Sequence, residues 1–135
     1  MAGSERAELT VSDRRSIEIE GLSHLTAIPV ATRIGPLLTT SVIVAFNPGT
    51  RDVPQGTQAQ LDNLFRHMRL ILDEAGATWD DVAKVEFWAP TAEMRSEIDG
   101  HYVEVFPDEA SRPSRHTHAS DGTTMTASFI AYVGS

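Results

Sequence analysis

The chain has 135 residues, of which 41% are hydrophobic, and this length and apolar content fit a single domain with one core. Its formal net charge of -8 argues against nucleic acid and anionic membranes as partners, because clustered Lys and Arg bind both. It contains no cysteine, which excludes disulfides, thiolate metal sites and a cysteine nucleophile.

The N-terminal residues 1–15 are polar and charged and show no sustained hydrophobic period. We therefore predict a flexible leader over 1–15 and one domain over 16–135. The leader has no apolar segment of the kind found in secretory signals, so we expect a cytoplasmic protein.

Three strands are predicted before the first helix. Residues 16–20 alternate apolar and polar side chains, which is typical of a half-buried strand. Residues 28–34 predict a second strand, with Pro29 giving it an irregular start. The β-branched and nearly continuous run over 37–44 predicts a central strand.

The clearest predicted element is a helix over 57–75. Its apolar residues recur at helical spacing and form one buried stripe: Leu61, Leu64, Phe65, Met68, Ile71, Leu72 and Ala75. Gly76 is the expected C-terminal stop. His67 lies off this stripe, so we expect its imidazole to be solvated.

The second half of the chain predicts a strand over 82–88, a helix over 91–106 with Thr91 as its N-cap, and strands over 114–119 and 124–133. The resulting order, β-β-β-α-β-α-β-β, favours a two-layer α+β fold with both helices on one face of a mixed sheet. The strands are apolar on both sides, so we expect the other face to pack against another subunit.

The segment Ser-Arg-Pro-Ser-Arg-His-Thr-His at 111–118 concentrates cations and hydrogen-bonding groups just before the last strand. Strand alternation puts Arg115 and Thr117 on one face and His116 and His118 on the other. A guanidinium matches a carboxylate with paired hydrogen bonds, so Arg115 is a candidate for holding a small anion. The alternative is an intersubunit salt bridge between Arg115 and one of the many acids of the chain.

The pair His116 and His118 has the spacing of two metal ligands on one strand face, but such a pair needs a third ligand. His101, Asp99 or Glu104 would supply it only by chance of folding. We therefore predict no metal site and expect these imidazoles to form hydrogen bonds with neighbours. The glycines are dispersed and form no phosphate-binding loop, so we predict no cofactor.

Several stretches carry a family resemblance when their order and spacing are taken together. They are residues 35–41, Asp-Glu-Ala-Gly at 73–76, Trp-Asp-Asp-Val-Ala-Lys-Val at 79–85, residues 102–107, and Arg-Pro-Ser-Arg at 112–115. With them the chain resembles the RidA/YjgF (Rid) family over nearly the whole domain. The resemblance implies a chorismate-mutase-like α+β fold and a homotrimer with ligand clefts between subunits. It also implies hydrolysis of reactive enamines and imines, which releases ammonia and a 2-oxo acid.

The resemblance assigns roles by position. Arg115 would hold the substrate carboxylate, and Ser41 matches the serine at a strand end. Thr117 stands where the family has a cysteine, and Trp88 lies where relatives place an aromatic beside the pocket. Ser128 stands where the family has the carboxylate that positions water, and would substitute for it in catalysis.

Two functions follow from this mixture of kept and changed positions. The first is hydrolytic deamination of small enamines, imines or related unsaturated amino-carboxylates. Its catalytic residues would be Arg115 and Ser128, and its substrate-binding residues would be Arg115, Thr117, Ser41 and Trp88. The second is a non-catalytic trimer that binds or senses a small carboxylate, because Ser128 lacks the acid. An RNA-directed role agrees poorly with the net charge of -8.

Overall fold

The computed structural model describes residues 13–134. Residues 1–12, most of the predicted leader, lie outside the described residues. The strands are β1 (Arg14–Ile17), β2 (Ala31–Ile34), β3 (Leu37–Thr40), β4 (Ile43–Val44), β5 (Val82–Ala89), β6 (Ser114–Ala119) and β7 (Thr126–Tyr132). The helices are α1 (Thr57–Ala75) and α2 (Ala92–Val105), and a short 3-10 turn spans Trp79–Asp81. The strand β1 begins at Arg14, two residues before the predicted start.

The strands form one mixed sheet in the order β1-β2-β3-β7-β5-β6, with β4 also pairing with β7. The pair β5–β6 is parallel, and the other pairs are antiparallel. Both helices lie on the same side of the sheet. The ring of Phe65 on α1 lies 5.9 Å from that of Phe87 on β5, and Asp99 on α2 bonds a β6 side chain of the same face. The predicted α+β architecture is confirmed.

The helix α1 ends as the sequence predicts, because Gly76 adopts a left-handed φ of 75° and its N–H returns to the last turn. The predicted stripe is buried against the sheet. The prediction for His67 is wrong, since its side chain is only 2% exposed. Its Nε2 lies 2.8 Å from the Phe46 carbonyl oxygen, just beyond β4, which satisfies one ring nitrogen inside the core.

The single strand predicted over 37–44 is interrupted in the structure, which has β3 over Leu37–Thr40 and β4 over Ile43–Val44. Thr39 pairs with Ile130, and Ile43 pairs with Ala127. The second pair therefore lies four residues further along the β3–β4 segment but only three residues away along β7. The extra residue makes a bulge at residues 41–42. It is held by Ser41, whose N–H donates to the Val30 carbonyl and whose hydroxyl donates to the Pro29 carbonyl.

The second face of the sheet carries neither α1 nor α2, and we call it the uncovered face. At one end it presents exposed apolar side chains that are neighbours by register: Ile34, Leu37, Ile130 and Tyr132. At the other end, on β5 and β6, the side chains are polar or aromatic. The strand β5 shows the contrast, because Val85 and Phe87 are buried while Glu86 and Trp88 are only partly buried.

Candidate functional site

Arg115 lies on β6 and points to the helix-covered face. Its guanidinium donates to the Asp99 carboxylate on α2 at 2.7 Å and stacks 4.8 Å from the centre of the Tyr102 ring. The Tyr102 hydroxyl donates to the Pro113 carbonyl, which fixes this ring beneath the guanidinium. Burial raises the pKa of Tyr102, and the nearby Arg115 opposes that rise. Arg115 therefore forms a salt bridge within its own chain, whereas the alternative interpretation of the sequence placed the partner acid in another subunit.

The other predicted site residues are divided between the two faces. Thr117 shares the covered face with Arg115 and is buried there beside Phe87. Ser128 and Trp88 lie on the uncovered face. Ser41 lies in the bulge and uses its hydroxyl to hold the backbone. One chain therefore does not bring Arg115 and Ser128 together.

A group of three side chains on the uncovered face was not predicted as a unit: Glu86, His116 and His118, which we call the Glu86 cluster. The parallel pairing of β5 and β6 places Glu86 directly beside His116, and His118 follows one side-chain position along β6. The Nε2 of His118 lies 2.8 Å from Oε2 of Glu86. The two imidazole rings are 3.9 Å apart, and the Trp88 ring stacks on His118 at 4.9 Å.

The electrostatics of the cluster favour an ionised carboxylate. The hydrogen bond from His118 lowers the pKa of Glu86, while partial burial acts in the opposite direction. The positive charge of Lys84 lowers it further. Glu86 is therefore a hydrogen-bond acceptor at neutral pH, and His118 presents its Nε2–H to it.

Ser128 borders the cluster on the side away from the histidines, because it is the cross-strand partner of Glu86 on β7. The uncovered face thus presents, across three adjacent strands, a hydroxyl, a carboxylate and two imidazoles. This arrangement can bind water or a polar ligand through hydrogen bonds. It also gathers two nitrogen donors and one oxygen donor suited to a divalent metal ion.

The sequence analysis does not include Glu86, because its three candidates for a third ligand beside the histidines all lie on α2. Of those, His101 instead bonds Asp62 on α1 at 2.6 Å, and Asp99 bonds Arg115. The signal was nevertheless present. Both strands were predicted, and alternation along β5 separates Glu86 from Val85 and Phe87. Only the pairing of β5 with β6, and its register, were lacking.

Comparisons with known proteins agree with this architecture. A family model described as endoribonuclease L-PSP matches residues 25–121. A RutC family protein of Aquifex aeolicus is 26% identical over 87 residues, which cover 64% of this chain and 70% of that protein. No helix among residues 13–134 is both long and apolar enough to span a bilayer.

Three solved structures illustrate the shared fold. YyfA of Yersinia pestis, described as a Rid family protein of unknown function, has a TM-score of 0.81 at 21% identity and covers 89% of this chain and 99% of its own. RidA of a Psychrobacter species has a TM-score of 0.79 at 18% identity, with coverages of 88% and 99%. The YjgF product of E. coli has a TM-score of 0.77 at 18% identity, with coverages of 87% and 98%. At these identities the likeness establishes the fold alone.

Proposed function

Because the chain belongs to the RidA/YjgF family, whose model is described as endoribonuclease L-PSP, we propose that it hydrolyses small enamine or imine carboxylates. In this reaction the water oxygen bonds to the carbon of the C=N group, and the C–N bond then breaks. The water protons pass to nitrogen, ammonia leaves and a carbonyl remains. Oriented attack on so reactive a group requires mainly that substrate and water be held in place.

The observation that carries the proposal is the position of Glu86 opposite Ser128. The resemblance places a water-positioning carboxylate on the last strand, where this chain has a serine. Glu86 supplies a carboxylate from the adjacent strand, on the same face and one cross-strand pair away. It accepts a hydrogen bond from His118, which fixes its direction, and its other oxygen lone pairs can accept a hydrogen bond from the attacking water.

The substrate carboxylate is assigned to Arg115, and this requires a second subunit. Arg115 and Glu86 point to opposite faces of one sheet. We therefore place Arg115 of one subunit and the Glu86 cluster of its neighbour in the same cleft of a homotrimer. A ligand carboxylate would compete there with Asp99, whose own side chain is largely exposed. Trp88 would form an aromatic wall beside the cluster.

The activity test uses an amino-acid oxidase to generate 2-imino acids and follows their hydrolysis. Wild type should accelerate it, and Arg115→Ala or Glu86→Gln should each lower the rate on the order of 100-fold. Glu104→Gln makes the same chemical change at an exposed acid of α2 and should leave the rate unchanged. A wild type without activity on any imino acid would refute the proposed reaction.

A mixture of two inactive variants tests the intersubunit cleft. In trimers reassembled from equal amounts of Arg115→Ala and Glu86→Gln chains, about a quarter of the clefts combine an intact arginine with an intact glutamate. The mixture should recover about that fraction of wild-type activity. Recovery of none would show that the two residues do not combine in a cleft between subunits.

The trimer itself is tested through the apolar end of the uncovered face. Leu37 is 43% exposed in the single chain, and its cross-strand partners are the apolar residues Ile34 and Tyr132. Leu37→Glu should reduce the mass measured by light scattering from three chains to one, since a charge cannot be buried there without a partner. Val103→Glu places the same charge at an exposed apolar residue of α2 and should leave the trimer intact. A wild-type monomer would refute the assembly.

A second function retains the arginine but not the reaction. Because Ser128 replaces the expected acid, the cleft could bind a small carboxylate without turning it over. This alternative predicts that wild type binds 2-oxo acids but does not accelerate imine hydrolysis. Binding would depend on Arg115 and tolerate Glu86→Gln, and calorimetry with a 2-oxo acid series would show it.

A further inference from the structure

The Glu86 cluster brings three potential metal ligands together on two adjacent strands. One ligand atom from each of Glu86, His116 and His118 lies within 4.8 Å of the other two. Two of these residues occupy alternate positions of one strand, and the third is their neighbour on a parallel strand. Strands hold these positions in register more firmly than loops would.

The donor set indicates the kind of ion. Two imidazole nitrogens and one carboxylate oxygen suit zinc and similar divalent transition metals, whereas Mg²⁺ and Ca²⁺ prefer oxygen ligands. The same set of three holds zinc in hydrolytic enzymes, where the fourth position stays open to water. We propose that Glu86, His116 and His118 bind a divalent transition-metal ion, with Zn²⁺ as the ion of first choice and its open position facing the uncovered face.

The surroundings are compatible with such an ion. The Trp88 ring supports the imidazole of His118 on one side and restricts its rotation. The hydrogen bond between His118 and Glu86 would be exchanged for bonds from both groups to the metal, with the imidazole proton moving to the other ring nitrogen. Ligands about 2.0–2.2 Å from zinc lie closer together than 4.8 Å, so a small rotation of the side chains completes the site.

The expectation of no metal site rested on the lack of a third ligand near the two histidines. The register of β5 and β6 provides that ligand. Metal binding stands independently of the proposed hydrolysis. One consequence does rest on the proposed hydrolysis. The ion and the attacking water both need Glu86, so a bound ion should inhibit the reaction.

The test uses the full chain without a histidine tag, first stripped with a chelator and then titrated with Co²⁺. We expect the visible absorption of four-coordinate cobalt, about one ion per chain, and its displacement by Zn²⁺. Glu86→Gln, His116→Asn and His118→Asn should each weaken binding at least tenfold or so. His24→Asn changes a histidine in the loop before β2 and should bind as wild type does.

Circular dichroism of each variant establishes that it is folded, so a loss of binding can be attributed to the ligand. A folded wild type that shows no cobalt spectrum would overturn the site, as would binding that survives all three substitutions. If the ion binds but hydrolysis continues unchanged, the metal site holds and the proposed place of the water at Glu86 is wrong.

Discussion

The two faces of the sheet are built from the same strands but contain different kinds of residues. On the helix-covered face, Phe87 and Phe129 are closed from solvent. On the uncovered face, their sequence neighbours Glu86 and Ser128 remain partly exposed and form a polar pair across the strands. Alternate residues of a strand point to opposite faces. Adjacent residues of the same strand can therefore have different roles, one stabilising the fold and the next available to bind or react. Substitutions on each face should therefore have separable effects.

The largest effect on stability should come from the covered face. Phe87→Ala removes a fully buried ring that packs against Phe65, and we expect a loss of about 3–5 kcal/mol in the free energy of unfolding. Urea denaturation measures it. The control, Ser128→Ala, changes a partly exposed residue of the uncovered face that lies outside its apolar end, and it should cost less than about 1 kcal/mol. Equal losses for the two variants would show that the faces do not differ as described.

A smaller effect should come from the histidine on the covered side. His67 is buried, and burial lowers its pKa, with the charge of Arg66 adding to that effect and the bond to Phe46 opposing it. The unfolded chain then takes up the proton first, so stability present above pH 6.5 is lost as the pH falls from 6.5 toward the lower folded pKa.

The variant His67→Gln should abolish this part of the pH dependence and cost about 1–2 kcal/mol at neutral pH, since the Phe46 carbonyl loses a well-placed donor. Urea unfolding at a series of pH values between 5 and 8 or so covers the relevant range. His24→Gln is the matched control and should keep the wild-type profile. An unchanged profile in His67→Gln would mean that another group causes the acid sensitivity.

The smallest effect on stability should come from Asp99→Asn, which removes an exposed partner of Arg115. Such a pair contributes only about 0.2–1 kcal/mol, so the unfolding curve should hardly move. The KM for a carboxylate substrate should nevertheless fall roughly two- to fivefold, because the ligand no longer competes with Asp99. Glu104→Gln again serves as the control. An increase in KM would indicate that Asp99 positions Arg115 for the substrate.

Most of the fold follows from local patterns. The buried stripe of α1, its stop at Gly76 and the bounds of β6 could be predicted because periodicity and backbone preference act over a few residues. The bulge at residues 41–42 and the burial of His67 depend on distant carbonyl groups. No pattern within a short segment reveals such partners.

The candidate site was harder to predict from the sequence for the same reason. Alternation correctly separated Arg115 from His116, but it could not tell which side the helices cover. Nor could it give the register that places Glu86 beside His116. The family resemblance assigns the water-positioning role to Ser128 on β7, whereas the neighbouring carboxylate, Glu86, lies on the adjacent strand β5.

The strand β6 stands last in the sheet order, so one side of its backbone has no strand partner among residues 13–134. In a free chain, such an edge is a template on which a strand of another molecule can add, and charged or bulky polar side chains hinder that addition. Arg115, His116 and His118 provide this hindrance. Drift of these positions toward apolar residues would therefore lower solubility as well as remove ligands. Selection against aggregation would preserve the polar character of β6 even in a lineage that no longer needs its chemistry.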